Sequence, residues 1–335
     1  MPTLAEVASA ARVSTASASL VLSGKSEGRV SAATAARVRA AAEELGYVRD
    51  ALAGGLRKGR TRTLGVLAEQ VLSTPYAVSM IDAILTACRE LGWSVLMTDA
   101  GGRAEHSAAA LRELQSRRVD VIIHAAMYHQ EVHVDPELTR VAVLNGFADR
   151  DGVAGVVPDE VDAARQAVGH LISLGHRRIG HVTDSRSRTV ASELRLQGYH
   201  EVLREAGIEP EAGLVVRGAN NPAGADEAAR RMLDRPDRPT AVFCYNDGMA
   251  AGVYRAAAEL GLSVPSDLSV VGFDDLTLIS TNLAPALTTM RLPHYEMADW
   301  LTRALVGAAD PPPPTTTRFP CALVERGSTA PPRER

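Results

Sequence analysis

Between about residues 63 and 273 the sequence alternates short apolar runs with longer stretches whose apolar residues recur at intervals of three and four. Residues 63–67, 95–97, 121–123 and 141–144 read as buried strands. Residues 76–91 read as a helix with Met80, Ile84, Cys88 and Leu91 on one side, and another helix is expected near 104–116. A second series opens near Asp159, with helices ending near Leu174, Ala206, Leu233 and Leu260 and strands at 179–182, 214–216, 241–244 and 268–273. Apolar strands separated by helices imply parallel sheets covered on both faces, because parallel neighbours need a crossover and the crossover helices lie on the sheet. Two such series predict an α/β body of two doubly wound subdomains. The length of 335 residues leaves room for one small further module.

That module is expected at the front. Residues 4–11 place Leu4, Val7, Ala8 and Ala11 at helical spacing. A second helix starts after Val13, capped by Ser14, and runs to about Leu22 with Ala18, Val21 and Leu22 inward. A third spans 32–45, opened by Val30 and Ser31, closed by Gly46, with Ala35, Val38, Ala42 and Leu45 inward. Two short helices joined by a tight turn and braced by a third form a helix-turn-helix, whose second helix enters the major groove. The same periodicity suits a small internally packed bundle. Charge bears on the choice. The chain carries a net −4, yet residues 1–62 hold ten Lys/Arg against five Asp/Glu, giving a head of +5 and a remainder of −9. A basic module on an acidic body fits DNA binding, although a solvated basic face has the same composition. Ser14, Ser17 and Ser19 offer short hydroxyls to phosphate oxygens, contacts that position a protein without reading sequence.

The segment Thr3-Leu4-Ala5-Glu6-Val7-Ala8 through Val13-Ser14, then Ala18-Ser19-Leu20-Val21-Leu22-Ser23-Gly24, resembles the headpiece of the LacI/GalR family of bacterial repressors. Val30-Ser31, Thr34, Arg37-Val38 and Gly46-Tyr47 extend the resemblance. It continues over nearly the whole chain, through Gly175-His176-Arg177-Arg178-Ile179, Arg195-Leu196-Gln197-Gly198-Tyr199, Tyr245-Asn246-Asp247, Gly272-Phe273-Asp274-Asp275 and Arg326-Gly327-Ser328-Thr329. The resemblance implies a headpiece at 1–47, a hinge helix or linker at 48–60, and an effector-binding, dimerising core of the periplasmic-binding-protein type at 61–335. Its N-subdomain would take about 61–158 and 290–320, its C-subdomain about 159–288 and 321–335, with crossings near 158–160, 288–291 and 319–322. DNA contacts are implied for Thr3, Ser14, Thr15, Ala16, Ser17, Ser19, Leu20 and Ser23. Ala53 and Leu56 would act in the hinge, where Leu56 takes the place of a minor-groove wedge. Gly54 and Gly55 each cost about 1 kcal/mol as helix residues, so this segment is expected to order on DNA. Three departures stand out. Arg12 occupies the turn where the family commonly has glycine, Arg49-Asp50 replaces the usual Pro-Asn, and Thr15, Ala16 and Leu20 offer no bidentate arginine to guanine. The usual operator sequence therefore does not carry over.

In related proteins the ligand lies between the subdomains, at the carboxyl ends of the strands. The positions carried over are Tyr76, Asn145, Asp159, Arg195, Asn220, Asn246 and Asp274. Arg195 can fork onto a hydroxyl pair or carboxylate, or pair with an acid across the cleft. Asp274 and Asn246 can share hydrogen bonds with hydroxyls, and Tyr76 offers an aromatic face. Asn145 replaces the acid more often found there. A mostly polar site with one aromatic favours a sugar or polyol, with a nucleobase or nucleoside as the alternative.

Other chemistries lack their residues. No Gly-x-Gly-x-x-Gly follows a strand, and Gly54-x4-Gly59-Arg60-Thr61 lacks the phosphate-loop lysine. No Gly-x-Ser-x-Gly supplies a hydrolase elbow. Cys88, Cys244 and Cys321 are far apart, and His124, His129 and His133 have no Cys or Glu completing a zinc set, so they are expected in a surface loop. His176, at a helix end, is expected to be structural. No cofactor, metal or catalytic role is expected. With neither a secretory leader nor an apolar run of about 18 residues, the expected location is cytoplasmic and no membrane partner is implied. Beyond Thr329 there is no heptad helix, so a homodimer on a pseudo-palindromic double-stranded operator is expected, its affinity set by a small-molecule effector. A solute-binding protein of the same core fold is the alternative, one that has no use for the basic head.

Overall fold

Each of the first three helices begins where a hydroxyl can satisfy its first-turn N–H groups. In α1 (Leu4–Ala10) the Thr3 hydroxyl accepts from the Glu6 N–H at 3.3 Å, while the Glu6 carboxylate accepts from the Thr3 N–H at 2.6 Å. Ser14 caps α2 (Thr15–Leu22) through the Ser17 N–H, and Ser31 caps α3 (Ala32–Glu44) through the Thr34 N–H. Val7, Ala8, Ala11, Ala18, Val21, Ala35, Val38, Ala41 and Ala42 form their core. Leu45, expected inside, is instead the C-terminal cap of α3 and is 39% exposed. Ala41, one turn earlier, is buried with Ala42. Arg12, in the turn between α1 and α2, adopts the left-handed φ of 52° that the family's glycine would adopt without strain.

The computed structural model describes residues 2–47, 61–69, 71, 78–101, 104–185 and 189–333. The expected hinge, with Ala53 and Leu56, the near-phosphate-loop Gly54–Arg60 and the proposed ligand contact Tyr76 lie outside the described residues. The chain divides into two compact units, Met1–Thr61 and Arg62–Arg335.

The second unit contains two six-stranded sheets. The first uses β1 (Thr63–Glu69), β2 (Ser94–Asp99), β3 (Val121–Val132), β4 (Val141–Ala148), β5 (Ala154–Pro158) and β11 (Thr316–Phe319), in the order β11-β5-β4-β3-β1-β2, all parallel. The second uses β6 (Ile179–Asp184), β7 (Val215–Gly218), β8 (Ala241–Cys244), β9 (Ser269–Asp274), β10 (Thr288–Arg291) and β12 (Ala322–Val324), in the order β12-β10-β9-β8-β6-β7, with only β12 antiparallel. The chain passes between lobes after Pro158, after Arg291 and after Phe319, so the middle crossing follows β10 and not the stretch 288–291 itself.

Helices cover both faces, as the apolar strands require. Met80, Ile84 and Cys88 of α4 (Val78–Leu91) and Leu301 of α10 (His294–Leu305) close one face of the first sheet. Leu114 of α5 (Ala104–Ser116) closes the other. On the second sheet, α6 (Glu160–Ser173) and α7 (Val190–Glu205) bury Val168, Leu171, Tyr199 and Leu203 on one side. On the other side, α8 (Pro222–Leu233) and α9 (Asp247–Glu259) bury Ala228, Met232, Met249 and Val253. Both helix pairs pack at glycine. A Cβ on Gly198 would lie 2.3 Å from the Val161 carbonyl, and one on Gly252 2.3 Å from that of Pro222.

Several elements were not anticipated. β10, β11, β12 and the helix His294–Leu305 lie beyond the series of strands and helices read from the sequence. β5 is a five-residue strand with glycine in it, too short for a periodicity to register. β3 continues nine residues beyond Ile123. His124 and His129, expected in a surface loop, are therefore buried strand residues, and only His133, just past the strand, is exposed. His176 is structural as expected: it is buried, with ring nitrogens bonded to Thr240, Ser269 and the Ala330 carbonyl.

Candidate nucleic-acid interface and effector cleft

In the headpiece, Thr15 and Ala16 are exposed at the start of α2, and Ser17, Ser19 and Leu20 are half-buried along it. Ser14 and Ser17 hydroxyls lie 3.0 Å apart, and the Ser23 hydroxyl donates to the Leu20 carbonyl at 3.1 Å. The Ser14 hydroxyl accepts the cap bond from the Ser17 N–H and shares one hydrogen with the Ser17 hydroxyl, so one of the two hydroxyls keeps a hydrogen for a phosphate oxygen. Thr3 differs. Its hydroxyl both accepts from Glu6 N–H and donates to the Glu6 carboxylate at 2.9 Å, which commits it to holding α1.

In the second unit, the carboxyl ends of strands from both lobes converge on one cavity of about 30 Å³. Asn145, Arg195, Asn220, Asn246 and Asp274, all selected from the sequence, line it together. Asp159 does not. Its carboxylate is spent as the N-cap of α6, accepting from the Asp162 N–H at 3.2 Å, and the next residue, Glu160, lines the cavity instead.

Irregular backbone aims several of these side chains. The β4–β5 register shifts between Leu144 and Gly146, and Asn145 sits at that bulge with φ 61°. A Cβ on Gly146 would be 2.7 Å from the Gln130 carbonyl, so only glycine fits beside it. The Asn145 amide donates to the Ala126 and Met127 carbonyls at 3.2 and 3.0 Å. Asp274 ends β9 with φ 107°, a conformation costing about 1–3 kcal/mol that clusters at binding sites. Asn246 caps α9 through the Met249 N–H at 2.8 Å while its amide donates to Asn220 Oδ1 at 2.7 Å.

Arg195 is the electrostatic centre. It is 4% exposed, its Nε donates to Glu160 at 2.7 Å, its Nη1 donates to the Tyr245 carbonyl, and Nη1 lies 3.9 Å from Asp274. Its guanidinium carbon lies 3.6 Å from the Phe273 ring centroid and 4.6 Å from that of Tyr245. Arg195 does pair with acids, but Glu160 and Asp274 belong to its own lobe, so the pairing runs within one wall and not across the cleft as expected. Burial would raise the Glu160 carboxyl, but Arg195 and His129 outweigh it and hold it below the ordinary range. For Asp274, burial wins over Arg195 and pushes the carboxyl well up.

Sequence reasoning missed Glu160, His129, His294 and Asp247. The first three line the cavity. Asp247 acts from behind. Its carboxylate accepts from the Thr289 hydroxyl and the Leu276 N–H, both at 2.6 Å, which fixes the loop that carries Asp274. Burial raises it to about 7. Its signal was present in Tyr245-Asn246-Asp247, of which the resemblance carried over Asn246 alone as a ligand contact.

Residues 3–50 match the family described as bacterial regulatory proteins, lacI family, and residues 168–329 match the periplasmic binding protein-like domain. The chain is 33% identical to the ribose operon repressor of Escherichia coli (strain K12), over 98% of its own length and 100% of the relative's. It belongs to the LacI family. The transcriptional regulator GalR of the same bacterium is 32% identical over 99% of this chain and 97% of its own. The lac repressor dimer bound to operator and the anti-inducer ONPF superposes with a TM-score of 0.82 at 28% identity, covering 98% of this chain and 99% of that one. A LacI-family regulator from Rhizobium etli gives 0.74 at 31% identity, over 81% of this chain and 100% of that one. As a LacI-family member the protein is a DNA-binding transcriptional regulator, and the helix-turn-helix match decides against the solute-binding alternative. Its relatives are regulators, not enzymes. Among the described residues no helix is long and apolar enough to cross a membrane, and no cluster of His, Cys, Asp or Glu could hold a metal.

Proposed function

We propose that this protein is a cytoplasmic repressor that binds a pseudo-palindromic operator as a homodimer, and that a sugar or related polyol in the interlobe cleft sets its operator affinity. The observation that carries the effector reading is the convergence of Asn145, Arg195, Asn220, Asn246 and Asp274, distant in sequence, on one cavity. Relatives are named for ribose and one solved relative holds cellobiose, which supports a carbohydrate ligand. A cavity of about 30 Å³ admits a water or two, whereas small-molecule sites span about 300–1,000 Å³. Binding a sugar therefore requires the lobes to part or rotate, and that motion is what an effector would impose. A coupling of about 1–3 kcal/mol changes operator affinity about 5- to 150-fold.

The DNA contacts fall to Ser14, Thr15, Ala16, Ser17, Ser19, Leu20 and Ser23, with Leu56 as the minor-groove wedge and Ala53 beside it. Dimerisation is supported by Val78 and Leu85, exposed at 58% and 44% and seven residues apart on α4, and by Leu278 at 70%. The test is selection from a random DNA library by the full-length protein at fixed salt, with residues 62–335 as control. A two-fold-symmetric site enriched only by the full chain supports the reading. An equal enrichment by the fragment refutes the headpiece role.

A further inference from the structure

We infer that Glu160 makes the cleft selective against anions, so that it takes an uncharged or amine-bearing polyol and rejects the phosphorylated or carboxylated counterpart. This rests on the effector reading above and names the class of ligand. An arginine that captures phosphate or carboxylate offers two parallel N–H groups from one edge of its guanidinium. The two such edges pair Nη2 with Nε or with Nη1. In Arg195 the Nε–H, the only hydrogen on that nitrogen, is spent on Glu160 at 2.7 Å, which closes the Nε edge to a bidentate anion, and Nη1 gives one of its two hydrogens to the Tyr245 carbonyl, which leaves the other edge shared. Stacking on Phe273 at 3.6 Å keeps the plane from swivelling.

Among the described residues the lining adds no lysine or second arginine, and the ionised Glu160 faces an incoming anion at close range, which carries a large desolvation and repulsion cost. Glu160 is 2% exposed and its carboxyl is held low by Arg195 and His129 against the effect of burial, so it stays ionised. For an uncharged or amine-bearing ligand the cleft has groups to offer. The His129 Nδ1 is buried, lies 3.8 Å from Glu160 and has no hydrogen-bond partner, and the Asp274 carboxyl is 3.9 Å from its nearest cation. Both can meet a hydroxyl or an ammonium.

Calorimetric titration of the full-length protein with inorganic phosphate, at constant ionic strength, tests the inference. Wild type is expected to bind phosphate on the order of tenfold more weakly, or worse, than Glu160→Gln, which keeps the shape and removes the charge. Equal phosphate binding by the two overturns the inference. So does the absence of binding by both, because Glu160 would then not be what keeps anions out. Where Glu160→Gln fails to fold, the Arg195 Nε–H resonance of the wild type is followed by NMR in the same titration. An unmoved resonance supports the inference and a saturable shift refutes it. Parallel titrations with glucose, glucosamine and glucose 6-phosphate separate the two readings. Tighter binding of the phosphate ester than of both others refutes anion exclusion. No response to any sugar, with the phosphate pattern intact, would count against the effector reading alone.

Discussion

The two lobes of the core share a strand order, with the switch between β1 and β3 in one and between β6 and β8 in the other, yet they equip their strand ends differently. The lobe built on β6–β10 brings Arg195, Asn220, Asn246 and Asp274 to the cleft, and Glu160 stands at the start of its first helix. The lobe built on β1–β5 brings Met127, Tyr128, His129, Asn145 and His294, with no charged side chain other than histidine among the described residues. One topology thus yields a charged anchoring wall and a mostly uncharged facing wall. The fold decides where a ligand can lie, and the residues just past each strand decide which lobe holds it.

If the second lobe is the anchor, its buried charges should be the costliest to disturb. Arg195→Ala strands Glu160 without its main partner and is expected to destabilise the protein by about 3–5 kcal/mol, read by urea denaturation. A loss under about 1 kcal/mol would show that the pair is solvated and the wall is not built on it. His181, stacked on Phe243 and Tyr199 and fully buried, tests the same lobe by pH. Burial lowers it to about 4. Its stabilising contribution is therefore complete above the unfolded value near 6.5 and is lost as pH falls toward 4, by roughly 3 kcal/mol. His181→Phe should flatten that window, and an unchanged pH profile would show that other groups govern it.

Smaller effects sharpen the account of packing in the same lobe. Gly198→Ala forces α7 off α6 and is expected to cost about 1–3 kcal/mol. Gly169→Ala, on α6 with its nearest neighbour 3.9 Å away, is expected to stabilise by about 0.5–1 kcal/mol through helix propensity. Shifts of the same sign in thermal denaturation would mean that the close approach at Gly198 is relieved at no cost. In the headpiece, Arg12→Gly is expected to stabilise by about 1 kcal/mol, since glycine adopts φ 52° without strain.

What was legible in the sequence followed short-range signals. Ser14 and Ser31 mark helix starts because the cap bond reaches only three residues along. The strands read as apolar runs because both sheet faces are covered. The cleft was partly legible: five residues carried over from the family meet there, although they come from different strands. What failed depended on contacts between distant residues. Asp159 and Glu160 are adjacent acids, and the cap bond from Asp162 tells them apart only once the helix is placed. Glu160 earns its place by pairing with Arg195, 35 residues away, and nothing periodic announces that. His129 hid because β3 continues through polar residues that break an apolar run, held by pairing with β4 on either side of a register shift.

The most direct test of the central claim is operator affinity of the full-length protein measured with and without saturating sugars, for the wild type and Asn246→Ser. Serine keeps the α9 cap but loses the amide that reaches Asn220. The account predicts that at least one sugar changes wild-type affinity by about 5- to 150-fold and that Asn246→Ser blunts the change while binding operator normally without sugar. An operator affinity indifferent to every sugar, or a variant that responds as the wild type does, would contradict it.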